Sequence, residues 1–213
     1  LPDEVVMLAA MGIVTSLSVT IESPIINLLA TSTALSRDRA AYLLLRRFTI
    51  HWMLFLTAVT FLLAFTPLFD LVIVQLLNVP EDVAVWVRPG LRIMLFWSAA
   101  IAWRRFLQGL MIRYNRTRSV AWGSVVRLVS SGGTALLLSQ LTDWAGVIIG
   151  ASSLMAGVVA EASYATLAVR PILNNDLGPD GPAAVAAPLT YKALFWFHLP
   201  LAMTSFLTLL VQP

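Results

Sequence analysis

Five charged residues stand inside long apolar runs: Glu22, Arg104, Arg105, Arg127 and Glu161. A charge held away from water is costly and is tolerated mainly where it faces a bundle interior or a water-filled cavity, so these five are the candidate site. Arginine carries a permanent charge and a planar donor fork that matches phosphate and carboxylate, which points to an anionic substrate. Arg104 and Arg105 differ by about 100° around a helix and cannot both enter one cavity, whereas Arg104 and Gln108 share a face. One arginine is expected to bind ligand while its neighbour pairs with a carboxylate. Arg104, Arg105, Gln108 and Glu22 are therefore the predicted substrate-binding group, and Arg127 with Glu161 the predicted coupling or ion pair. Counted at ~1.5 Å per residue from one end of their runs, Arg104, Arg127 and Glu161 lie about 14, 12 and 14 Å deep, one level on three successive helices. The competing reading is structural: Arg127 and Glu161 as a plain interhelical ion pair, and Arg104 or Arg105 reaching towards the headgroups.

Other chemistries lack their residues. With no cysteine in the chain, thiolate catalysis, disulfides and cysteine metal sites are excluded. His51 and His198 open two different apolar runs and show no ligand spacing. No Ser/Lys, Ser/His or carboxylate/His grouping falls at the depth of the charged residues, so an enzyme is not expected and no cofactor is implied.

The elements that carry these residues follow from composition. Hydrophobic residues make up 59% of the chain, charged residues 12%, and the mean hydropathy is +0.84, outside the range of a soluble domain. Lipid offers no hydrogen bonds, so the expected fold is all-α, a polytopic transmembrane helix bundle. Apolar runs between breaks give six spans, at 5–30, 47–66, 91–112, 119–141, 145–169 and 193–211. The segment 67–79 is too short to count and is expected outside the membrane or at its surface. Pro24 and Pro200 interrupt the first and last spans and are the candidate hinges. Glycines 123, 132, 133, 146, 150 and 157 give the fourth and fifth spans small faces for close packing.

Charge sets the orientation. Arg37, Arg39, Arg46 and Arg47, then Arg113, Arg116 and Arg118, then Arg170 and Lys192 all fall in loops on one side, which the positive-inside rule makes cytoplasmic in a multi-pass cell-membrane protein. The net charge of +3 is thus topology and not nucleic-acid binding. Both ends then lie outside, and a chain that starts there four residues before its first span is expected to follow a further helix. Residues 174–190, rich in Pro and Gly, read as a cytoplasmic linker between a block at 1–173 and a helix at 191–213.

Several stretches resemble a known group. LRIMLFWSAAIAWRRFLQGLMIRYNRTRSV, GVIIGASSLMAGVVAEASYATLAV with Glu161 inside it, MLAAMGIVTSL, SRDRAAY and FWFHLPLA are similar to segments of the progressive ankylosis family, within the multidrug/oligosaccharidyl-lipid/polysaccharide exporter superfamily. The resemblance implies a twelve-helix protein in two lobes, of which this chain would be a fragment holding helices two to seven: the rest of the first lobe in 1–173 and the first helix of the second in 191–213. It further implies alternating access at a cavity between the lobes. The expected partners are membrane lipids and a small anionic solute, or in the flippase branch a lipid-linked pyrophosphate saccharide. A cation-coupled drug exporter is the remaining branch, and an intramembrane enzyme or scaffold stands last.

Overall fold

Aspartates open the first two long helices. Asp3 Oδ1 accepts from the Val5 amide at 3.1 Å to start α1 (Glu4–Glu22), and Asp38 Oδ1 accepts from the Ala41 amide at 2.8 Å to start α3 (Arg39–Phe65). Between them lies the short α2 (Leu28–Leu35), followed later by α4 (Glu81–Ile93), α5 (Trp97–Arg113), α6 (Thr117–Leu141), α7 (Gly146–Ala168) and α8 (Tyr191–Val211). This computed structural model describes residues 3–178 and 188–211. Helix accounts for 87% of the structure and no strand occurs among the described residues. Among the described residues, four stretches, Glu4–Leu35, Arg39–Phe65, Thr117–Leu141 and Gly146–Asp176, are long and apolar enough to cross a membrane.

Two features differ from the sequence expectation. The helix expected at 47–66 starts eight residues earlier, because the Asp38 cap satisfies its first turn; Arg39, Arg46 and Arg47 therefore ride on α3 rather than in a loop. The run at 91–112 is not one helix. A 3-10 turn at Met94–Phe96 separates α4 from the 17-residue α5, which is not among the four membrane-length stretches. Segment 67–79 forms a π-helical piece at Asp70–Leu76 that tucks Ile73 and the preceding Phe69 inwards. Most of the expected linker, residues 179–187, lies outside the described residues, while its start continues α7 as a second π-helical piece, Ile172–Asp176.

The helix at the centre is α5. Twelve of its 17 residues are buried, Arg104 and Gln108 among them, whereas α6 buries Gly123 alone of its 25. The charged face of α5 thus meets protein and not lipid, which removes most of the insertion penalty. Gly109 permits the closest approach: a Cβ there would run into the Leu29 carbonyl and lie 2.7 Å from Ser32 Cβ on α2. The same crossing is tied by Ser32 Oγ donating to the Phe106 carbonyl at 2.7 Å and by Arg113 Nη1 donating to the carbonyls of Thr33 and Ala34 at the end of α2. Tyr114, just past α5, shares its hydroxyl proton between the Ser36 and Arg37 carbonyls at 3.4 Å each. Burial pushes its ionisation above the usual phenol range, so it remains a donor at neutral pH.

Proline breaks the first span. Pro24 has no amide hydrogen, so α1 ends at Glu22 and the chain passes through a 3-10 turn, Ser23–Ile25, before α2. The exposed Pro24 carbonyl takes a hydrogen bond from His198 Nε2 on α8 at 2.9 Å. A carbonyl can only accept, so Nε2 carries the proton, and Nδ1 faces Thr31 Oγ1 at 2.9 Å. Asn27 adds two bonds of 2.7 Å from Nδ2, to the Leu201 carbonyl and to Ser205 Oγ. α8 runs helically through Pro200 and docks on this break.

Candidate functional site

Glu161 on α7 is fully buried and gathers three partners. Arg104 Nη1 donates to Oε2 at 2.8 Å, Gln108 Nε2 donates to Oε1 at 3.0 Å, and Arg127 Nε lies 3.6 Å from Oε2. Arg104 and Gln108 sit four residues apart on the inward face of α5, which is why one carboxylate can accept from both. Arg127 approaches from α6, the helix antiparallel to α7. Gly123 on α6 lies against the carboxylate, and an added Cβ there would stand 3.5 Å from Glu161 Oε1, in ordinary contact. Gly157 brings α7 against the Arg127 backbone: a Cβ there would stand 2.9 Å from the Arg127 carbonyl oxygen. Gly132 and Gly133, expected at a packed face, have nothing within 4 Å among the described residues.

The charges do not all find partners. Three guanidinium groups share the cluster with two carboxyl groups, Glu22 and Glu161. Glu161 is saturated. Glu22, at the end of α1, is buried with Oε2 unpartnered, and the Trp97 indole and the Arg105 and Arg104 guanidinium groups lie around it. Neither arginine reaches the 4.0 Å of an ion pair with it among the described residues. Arg105 Nε and Arg104 Nε are also buried and unpartnered, as is Trp97 Nε1 at the start of α5. Unmet donors of this kind in a low-dielectric interior are costly, and a ligand oxygen or water placed among them would satisfy them.

The structure therefore divides the predicted substrate-binding group. Arg104 and Gln108 are committed to Glu161, while Arg105 and Glu22 keep free hydrogen-bonding capacity. Pro24 lies two residues from Glu22, so the helix break is part of the same region; Pro200 belongs to the α8 dock. Trp97, Ser23 and Thr49, buried with unpartnered polar atoms, carry no signal in the sequence, since nothing in their spacing separates them from the apolar runs around them. His198 and His51 serve as hydrogen-bonding groups, the latter through Nδ1 to the Tyr191 hydroxyl at 2.9 Å. Compared with family models, with curated proteins and with solved structures, the chain matches none.

Proposed function

We propose that the protein is a membrane transporter, of the kind the exporter superfamily resemblance implies, that carries an organic or phosphate-bearing anion by alternating access. The observation that carries the reading is the unpartnered Arg105 Nε facing a cluster with one more guanidinium than carboxyl group. An anionic oxygen entering beside Arg105 gains donors and balances the surplus charge, whereas a cation would add to that surplus. Arg104, Gln108, Arg127 and Glu161 form the rigid wall of the site and hold α5, α6 and α7 in register. Glu22 sits across from Arg105 at the Pro24 break, where a change in helix direction would alter the distance between them and so couple binding to conformation. The basic loops face the cytoplasm in this reading.

Flux in vesicles carrying the protein tests it. Labelled ATP and citrate are expected to cross faster than in empty vesicles, with cationic dyes excluded. Dye transport without anion transport would favour the cation-coupled branch and contradict an anion site, and flux of a lipid-linked pyrophosphate alone would select the flippase reading.

A further inference from the structure

A second site lies apart from this cluster. A cavity of about 640 Å3 opens between the π-helical segment Asp70–Leu76 and α4, and it shares no residue with the group around Glu161. Its volume is that of a small-molecule pocket. Glu81, Ala84, Arg88 and Arg92 recur at three- and four-residue spacings and form its α4 wall. Aromatic rings stack on both guanidinium groups: Arg88 Cζ lies 4.3 Å from the Phe69 ring centre and Arg92 Cζ 5.0 Å from that of Phe65.

The hydrogen bonds leave specific capacity free. Arg92 Nε donates to the Ala64 carbonyl at 3.3 Å, and among the described residues no carboxylate comes within 4.0 Å of this arginine. Arg88 Nη2 donates to Asp70 Oδ1 at 2.7 Å, which leaves Asp70 Oδ2 open. Glu81 has no basic partner within the same distance among the described residues. Two guanidinium groups one helical turn apart thus face two carboxylates. A bare anion would satisfy the arginines and be repelled by Asp70 and Glu81, whereas a ligand carrying both a phosphate and an ammonium satisfies all four. The remaining wall, with Phe69, Val74 and Val85, accepts hydrocarbon. The cavity also lies beyond the end of α3, where a membrane-length helix stops.

We propose that this cavity binds the headgroup of a zwitterionic phospholipid, its phosphate between Arg88 and Arg92 and its ammonium against Asp70 and Glu81. The site is independent of the transport reading. Native mass spectrometry of the delipidated protein with equal amounts of phosphatidylethanolamine and phosphatidylglycerol tests it. The wild type is expected to retain phosphatidylethanolamine at least five-fold over phosphatidylglycerol. Arg92→Gln, at an exposed position, should reduce that retention at least five-fold with the unfolding temperature unchanged, and Glu81→Gln should shift the preference towards phosphatidylglycerol. Arg170→Gln, outside the cavity, should change neither. Equal retention by the wild type and Arg92→Gln would overturn the proposal, as would displacement of the lipid by millimolar inorganic phosphate, which would mark a site for the free anion.

Discussion

Glu161 shows how a charge deep in an apolar bundle is kept. Its two oxygens accept from Arg104 and Gln108 and approach Arg127, so each group's desolvation is offset by the others. Removing one member strands the rest. Glu161→Gln should lower stability by about 3–5 kcal/mol, because Arg104 is then buried without its counter-charge. Thermal unfolding in detergent measures this, and Arg104→Gln/Glu161→Gln should recover part of the loss. Strictly additive losses would mean that the two residues are not coupled. The approach of Arg127 to Glu161 was legible in the sequence, since the two share a depth on consecutive helices. The shorter Arg104 contact was not, because the side of α7 that α5 meets is set by tertiary packing and not by any spacing within either helix.

At the scale of elements, α5 is the part least like its sequence. Its apolar run reads as one span with lipid around it, yet it is broken from α4 at Met94–Phe96 and enclosed by α2, α3 and α7. No proline or glycine marks that turn; Pro89 and Gly90 fall inside α4, so the usual signals mislead here. The break at Pro24 was legible, since proline must interrupt the hydrogen-bond ladder. Its capping by His198 was not, because the two are 174 residues apart. Gly109 gives the sharpest test of the packing. Gly109→Val would force α2 and α5 apart and should cost at least about 1–3 kcal/mol, seen as a lower unfolding temperature, whereas Gly132→Ala on the open face of α6 should change it little. Equal effects at the two positions would contradict the close crossing.

For the whole molecule, the helical class and four of the six expected membrane-length segments were legible because lipid admits few backbone solutions, and composition alone selects among them. The proposed orientation rests on the nine basic residues that the sequence reading places on one side. Because the chain has no cysteine, single introduced cysteines are clean reporters. Arg37→Cys, Thr117→Cys and Asn175→Cys, all at exposed positions, should resist an impermeant thiol reagent in intact cells; labelling of all three would reverse the topology. Under the proposed function, Arg105 meets an anionic substrate while Arg104 holds the bundle together. It is tested most directly by anion flux in vesicles carrying Arg105→Gln or Arg105→Lys beside the wild type, at matched amounts of folded protein. At least a ten-fold loss is expected for Arg105→Gln with unchanged unfolding temperature, and partial activity for Arg105→Lys, which keeps the charge but not the fork. Undiminished flux of every anion carried by the wild type through Arg105→Gln would contradict it.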